Sequence, residues 1–221
     1  MLFAAGFGTR MGGLTAACPK PLIKVAGVAL IDHALAIAND ADIKTTVANT
    51  HYLPEMLTVH LKDRNVILSH EPDILETGGG LRQALPHLGN DPVFTLNTDA
   101  IWTGQNPLKT LATAWDPEKM DALLLLIPPE NAKGYTRSGD FVQADDGTIT
   151  RGAGLVYTGA QIIKTNGLAD IHDAKFSLHA LWDQMYQTGR IFGVPHRGGW
   201  CDVGAPEGIK IAEQMLRDQD V

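Results

Sequence analysis

The chain has 221 residues, 44% hydrophobic and 19% charged, and a formal net charge of −7 from 18 basic and 25 acidic side chains. That length suits one sizeable domain, and the acidic balance argues against general nucleic-acid binding, which favours a basic footprint. No apolar stretch has the length of a membrane span and no secretory leader pattern is visible. Cys18 and Cys201 build neither a disulfide framework nor a zinc motif. The expectation is a cytoplasmic protein with no membrane or nucleic-acid partner.

The run MLFAA predicts a first strand, short enough to leave open a start a few residues upstream. LIDHALAIAND then places Leu30, Ala34, Ile37 and Ala38 at helical spacing. KTTVANT is a β-branched strand, and PEMLTVHLKD is a helix with proline at its start. NVILSH predicts a third strand, GGLRQALPHL a short helix, and PVFTLNTDA a fourth strand with a polar end. NPLKTLATAW is a helix and DALLLLIPP a fully buried strand. This alternation predicts a mostly parallel sheet with helices on both faces. After Pro129 the rhythm changes. GDFVQADDGTITRGAGLVYTGA reads as a hairpin insertion turning at Asp145-Asp146-Gly147. KFSLHALWDQMYQTGR is a helix with Leu178, Leu181, Trp182 and Met185 on a core face. IFGVPH and GWCDVG are late strands, and APEGIKIAEQMLRD is a closing helix. The fold class is therefore α/β, a Rossmann-like, mostly parallel mixed sheet flanked by helices, with a small β insertion.

The glycine cluster AAGFGTRMGG follows the first strand, where glycines usually serve phosphate. A dinucleotide fingerprint needs Gly-x-Gly-x-x-Gly; here Gly6, Gly8 and Gly12 are spaced one residue too long. The second strand ends in Asn49-Thr50-His51, with no acidic residue for a ribose. A P-loop is absent. The loop suits a reacting nucleotide better. Gly6 and Gly8 can take positive φ and bring backbone N–H groups to phosphate oxygens. Arg10 can fork onto two oxygens. Lys20, stiffened between Pro19 and Pro21, suits a charge that grows during reaction. A triphosphate reaction also needs a metal. Mg²⁺ takes one or two carboxylates plus phosphate oxygens. Asp99, at the carboxyl end of the fourth strand, and Asp202, in GWCDVG, are the candidates.

FAAGFGTRMGGLTAACPKPLIKVAG resembles the signature of the sugar-1-phosphate nucleotidylyltransferases, departing from it at Phe3 and at Gly13, where the family carries proline. The resemblance covers nearly the whole chain. It implies the nucleotide-diphospho-sugar transferase fold, one domain over 1–221, with a nucleotide-binding half (1–128), a sugar-binding half (129–204) and a C-terminal helix (205–221). It carries Arg10 and Lys20 over as catalytic residues, Ala5, Gly6, Gly8 and Thr9 as nucleotide contacts with Asn97, and Asp99 and Asp202 as metal ligands. Thr98 stands for the family's glycine and Ala205 for its threonine; Thr98 either crowds the metal or adds a hydroxyl contact.

EPDILETGGGL resembles the family's base-binding turn. Glu71, Glu76, Thr77, Gly78 and Gly79 are its candidate contacts, and a carboxylate there suits uracil or guanine. The string LETGGG is similar to the short bacterial N-acetylmuramate-1-phosphate uridylyltransferases of cell-wall recycling. Asp140, Thr158 and Gly159 are candidate sugar contacts. Lys175 and Arg197 are candidates for a phosphate or a lactyl carboxylate, and His51 and His70 lie at strand ends nearby. The resemblance implies condensation of UTP with an amino-sugar 1-phosphate, Mg²⁺ as cofactor, and release of pyrophosphate; a homo-oligomer is compatible with it. The alternatives are a mannose-1-phosphate guanylyltransferase, a phosphocholine cytidylyltransferase, and a non-catalytic nucleotide-sugar-binding subunit.

Overall fold

The computed structural model describes residues 1–89 and 92–219, so the last two positions of the expected 205–221 helix lie outside the described residues. The first half runs β1 (Leu2–Phe3), the hairpin β2 (Lys24–Val25) and β3 (Val28–Ala29), α1 (Leu30–Asp40), β4 (Val47–Thr50), α2 (Pro54–Leu61), β5 (Ile67–His70), α3 (Glu76–Leu88), β6 (Val93–Asn97), β7 (Ala100–Trp102), α4 (Pro107–Ala114) and β8 (Ala122–Ile127). The second runs β9 (Ala132–Lys133), β10 (Phe141–Gln143), β11 (Ile149–Arg151), β12 (Val156–Ile163), α5 (His179–Gln187), β13 (Ile191–Pro195), β14 (Trp200–Asp202) and α6 (Pro206–Gln219).

Seven strands form the main sheet in the order β13-β8-β12-β6-β1-β4-β5. All neighbours are parallel except β12, which runs antiparallel between β6 and β8. Strand periodicity of two explains the core. Along β8, Leu124 and Leu126 face a cluster with Leu81, Leu181, Trp182 and Met185 from α3 and α5. Leu123 and Leu125 face the opposite cluster with Ile31, Ala34, Leu35, Leu57 and Leu111 from α1, α2 and α4. Each Leu or Ile buried this way contributes about 1.5–3 kcal/mol. Both sequence halves share this sheet, because β12 and β13 from the second are paired with strands of the first.

A smaller cluster sets the site. Met11, Ile23, Val25, Leu30, Ile101, Cys201, Val203 and Ala212 pack together under α6. It joins the glycine loop to a separate three-stranded sheet, β7-β14-β9. GWCDVG is a strand as expected, but in this second sheet. The hairpin turning at Asp145-Asp146-Gly147 is formed by β10 and β11. Strand β7 and the β2–β3 hairpin carry no period-two pattern in so few residues.

The α5 helix begins at His179, later than KFSLHALWDQMYQTGR predicts. Phe176 and Leu178 spend backbone groups on the start of α3 and the residue before it instead. Phe176 N donates to Leu75 O at 3.1 Å, and Leu178 N donates to Thr77 Oγ1 at 3.0 Å.

His196, just after β13, is 4% exposed and lies edge-on to Trp102 at 5.2 Å, with Nε2 3.2 Å from Thr103 O. Burial holds its imidazole below the usual histidine range. The unfolded chain then binds the proton first, so stability is lost as pH falls through that range and below it. Thermal melts from pH 7.5 to pH 5 are expected to show a drop in Tm that His196→Gln, which keeps a donor for Thr103, flattens.

Candidate functional site

The antiparallel register of β7 and β14 pairs Asp202 with Ala100, and Val203 N donates to Asp99 O at 2.8 Å. Two carboxylates are thereby fixed on facing strand ends. Burial and then the charge of Asp99 push the Asp202 carboxyl above its usual range, against the pull of Lys20, Arg10 and Arg137. Lys20 Nζ meets Asp99 Oδ2 at 2.6 Å, and Arg10 Nη1 lies 4.0 Å from Asp202 Oδ2. Lys20 is 9% exposed whereas the Arg10 side chain is 70% exposed. One cation is therefore built in, and the other projects into solvent, able to follow a ligand.

The residues present fit a divalent cation. Two like charges held together are relieved by a cation, and hydrogen-bond donors alone do this poorly. Among the described residues no group of three or more His, Cys, Asp or Glu could hold a metal. The Asp99–Asp202 pair therefore leaves most coordination to phosphate oxygens and water, which is the habit of Mg²⁺.

The glycine loop is a pair of short 3₁₀ turns within Thr9–Thr15, starting after Gly8 and broken at Gly12, where φ is 58°. Gly8 sits at φ 65°, and a Cβ there would lie 2.8 Å from Lys20 Cβ and 2.9 Å from Thr15 Cγ2. Both the left-handed backbone and the close approach demand glycine. Met11 N caps the turn on Gly8 O at 2.9 Å, and Thr15 Oγ1 donates to the same carbonyl at 3.1 Å. Gly6 does not take positive φ, contrary to the sequence expectation; its Cα faces open space. Gly13 is also open and outside the left-handed region, so the loop does not require glycine there.

Two cavities meet at this centre. The smaller, about 220 Å³, is lined by Ala5, Gly6, Lys20, Asn49, Glu71, Glu76 and Thr77, among others. The larger, about 780 Å³, carries Arg10, Asp140, Gly159 and Asp202. Asn97 and Asp99 line both. Asn97 ends β6 beside Gly159, which sits at φ 83° where the β12 register shifts between Tyr157 and Gln161; a Cβ on Gly159 would lie 2.7 Å from Asn97 Nδ2. Gly8 and Thr9 line neither cavity.

Several expected contacts are placed differently. Glu71 is fully buried, and its oxygens accept from Asn49 Nδ2 at 2.7 Å and Leu75 N at 2.9 Å; Asn49 Oδ1 accepts from Ala4 N at 2.7 Å. This chain of bonds holds the β1 exit against the start of α3. The Gly78 and Gly79 N–H groups both donate to Phe176 O, at 2.9 and 3.1 Å, so they cannot read a base. Glu76, at φ 62°, and Thr77 do face the smaller cavity. The Thr158 hydroxyl is buried and donates to Leu125 O at 2.7 Å, and its carbonyl accepts from Trp200 Nε1 at 3.0 Å, so its hydroxyl and carbonyl are engaged within the protein. Thr98 does neither thing expected of it: its hydroxyl donates to Phe3 O at 2.8 Å and ties β6 to β1. Lys175 and Arg197 line neither cavity. His51 Nδ1 is 2.8 Å from Glu71 O, and His70 Nδ1 is 3.4 Å from Thr50 Oγ1, so both bond within the protein.

Asp140 lies in the wall of the larger cavity, accepting from Tyr135 OH at 3.1 Å and Tyr157 N at 3.0 Å, with Arg137 Nη2 at 3.3 Å. Tyr135, Arg137, Arg151, His179 and Trp182 share that wall; none is among the expected site residues, and Trp182 is expected only on the core face of its helix. A signal existed for Arg137, which lies between Gly134 and Gly139, just before the insertion. None existed for Arg151 and His179, which come from a hairpin end and a helix start far apart in sequence.

The loop geometry separates two substitutions. Gly8→Ala is expected to cut kcat at least tenfold by displacing Lys20 from Asp99 and to cost about 1–2 kcal/mol of stability. Gly13→Ala is expected to change either by little; steady-state kinetics and urea melts read both.

The chain matches the model of the MobA-like NTP transferase domain family over residues 1–132. It is 40% identical to N-acetylmuramate alpha-1-phosphate uridylyltransferase of Caulobacter vibrioides, over 99% of this chain and 96% of that protein. It is 34% identical to the Neisseria meningitidis protein of the same name, over 97% and 96%. Its fold superposes on HddC from Yersinia pseudotuberculosis, solved in complex with GMP-PN, with a TM-score of 0.80 over 97% of each chain at 19% identity. With an NTP transferase domain over more than half its length and full-length relatives of this kind, the chain belongs to the sugar-1-phosphate nucleotidylyltransferase family and is a nucleotidyltransferase.

Proposed function

We propose that the enzyme condenses UTP with N-acetylmuramic acid 1-phosphate to UDP-N-acetylmuramic acid and pyrophosphate, with Mg²⁺ as cofactor, in the recycling of cell-wall sugars in the cytoplasm. The observation that carries this reading is the meeting of two cavities at Asn97 and Asp99, with cations on both carboxylates. A nucleotide in the smaller cavity and a sugar phosphate in the larger would bring their reacting groups together there. The names of the relatives identical at 40% and 34% over nearly full length support the uridylyl donor and the muramic acceptor. The division into a nucleotide half (1–128), a sugar half (129–204) and a C-terminal helix belongs to the same proposal.

The chemistry asks little covalent work of the protein. An oxygen of the sugar phosphate, already ionised, attacks the α-phosphorus of the nucleotide, and pyrophosphate leaves from the opposite side. Catalysis is then positioning and charge neutralisation. Asp99 and Asp202 would hold Mg²⁺, which neutralises phosphate charge when bound. Lys20, fixed between two prolines, supplies a preorganised positive charge beside the α-phosphate. Arg10, free to move, closes on the departing pyrophosphate. Ala5 and Gly6 offer backbone to the nucleotide. Asn97, Asp140 and Gly159 face the sugar.

Lys20→Ala is expected to lower kcat about 10²–10³-fold with a smaller change in KM for the nucleotide, and Asp99→Asn to abolish metal-dependent turnover. Near-normal turnover of Asp99→Asn would remove the metal assignment.

A panel of the four nucleoside triphosphates against N-acetylmuramic acid, mannose and glucose 1-phosphates and phosphocholine, read by pyrophosphate release, tests the substrates. UTP with the muramic acid phosphate is expected to be the best pair. GTP with mannose 1-phosphate as the best pair would shift the assignment to guanylyl transfer, and nucleotide-sugar binding without pyrophosphate release would mark a non-catalytic subunit.

A further inference from the structure

The two ends of the larger cavity differ in charge chemistry. Arg10 stands 4.0 Å from Asp202 at the phosphate end, and Arg137, 3.3 Å from Asp140, is felt both at Asp202 and at His179. Arg151, at the end of β11, stands instead against α5. Its Nη2 meets Asp183 Oδ1 at 2.7 Å and His179 O at 3.4 Å, and its Cζ lies 5.2 Å from the centre of the Tyr186 ring. Beside it is an aromatic floor. His179 stacks on Trp182 at 4.9 Å, and Phe141 and Tyr157 lie edge-on to Trp182 at 5.8 and 5.2 Å. Burial, then the charge of Arg151, holds His179 below the usual histidine range, and Arg151 is the guanidinium held directly on α5 at this end.

Neutral sugar hydroxyls need no guanidinium. A positive fork over an aromatic floor suits a carboxylate carried on a short apolar arm. N-acetylmuramic acid differs from N-acetylglucosamine by such an arm, the lactyl ether on O3, on the ring side remote from the C1 phosphate. We propose that Arg151 is a specificity-determining residue that binds this lactyl carboxylate, with the His179 ring, itself backed by Trp182, against the lactyl methyl, so that the cavity selects an acidic amino-sugar phosphate over its neutral counterpart. The proposal rests on the uridylyltransferase reading above. Asp183 does not exhaust the guanidinium. The Asp183 and His179 contacts both use Nη2, and a guanidinium carries five N–H donors in a rigid fork. Asp183 orients that fork, and the donors these two contacts do not use are the ones proposed for the substrate.

The test compares N-acetylmuramic acid 1-phosphate with N-acetylglucosamine 1-phosphate, each with UTP and Mg²⁺, on the wild-type enzyme, Arg151→Ala and Arg151→Lys. Calorimetric Kd values for the two corresponding UDP-sugars accompany the kinetics. The Arg151 side chain is 47% exposed, so truncation opens no core cavity, and melting curves check that the variants fold. Arg151→Ala is expected to lower the muramic-to-glucosamine ratio of kcat/KM about 10–100-fold. The change should fall mainly in KM for the acidic sugar, and Arg151→Lys should restore part of it. The Kd ratio should move in parallel. An equal loss on both sugars, or an unchanged ratio, overturns the proposal. Turnover by a wild-type enzyme that binds the two UDP-sugars equally overturns it too while leaving nucleotidyl transfer standing. Arg151-dependent preference for UDP-N-acetylmuramic acid without any pyrophosphate release would support the carboxylate site and overturn the catalytic reading instead.

Discussion

Two carboxylates held side by side against their mutual repulsion are the constraint around which the site is organised. Neither Asp99 nor Asp202 chooses that position. The antiparallel pairing of β7 with β14 imposes it, sealed by the hydrogen bond from Val203 to Asp99 O. In a partly buried place such a pair is costly unless cations stand close. Lys20 and Arg10 meet that need in opposite ways. Lys20 is nearly buried and locked onto Asp99, and Arg10 is mostly exposed and only near Asp202. A fixed charge and a mobile one suit a reaction in which charge builds at one phosphorus and departs with another phosphate.

The rest of the fold delivers these four side chains to one point. Met11, 1% exposed, anchors the glycine turn in the same small apolar cluster as Ile101, Cys201 and Val203. The turn that carries Arg10 and the strands that carry or follow the aspartates therefore share one piece of core. Gly8 lets the turn press against the Lys20 side chain. Prolines flank Lys20, so its position is set by backbone as well as by its ion pair. Hydrophobic packing, which has no direction of its own, is here the means by which directional groups are aimed.

Strand β12 divides the ligand space. It runs antiparallel in an otherwise parallel sheet, between β6 and β8, and its register shift at Gly159 brings backbone against Asn97. Asn97 thus stands on the partition between the two cavities. The hairpin β10–β11 and the loop held by Asp140 build the far wall of the larger one. Asp140 is both wall and brace, because its oxygens accept from Tyr135 and from the β12 backbone.

The sequence by itself determined the alternation of strands and helices, the buried run of β8, the hairpin at Asp145-Asp146-Gly147 and the clustering of Gly6, Gly8, Arg10 and Lys20, because these are local patterns of periodicity and spacing. The motif resemblance also marked Asp99 and Asp202, which are 103 positions apart in sequence, as candidate metal ligands. What only the tertiary structure decided depends on contacts between distant segments. The glycine run at 78–79 reads as a base-binding turn, yet its N–H groups are taken by Phe176, nearly a hundred residues away. Thr98 resembles an intrusion on the metal, yet its hydroxyl closes on Phe3. Thr158 points into the sheet, Lys175 and Arg197 lie off the cavities, and Arg137, Arg151 and His179 stand in the wall instead. Local spacing can say that a backbone amide or a cation is available. Which partner takes it is settled by whatever the packed chain brings within about 3 Å, the distance at which a hydrogen bond forms.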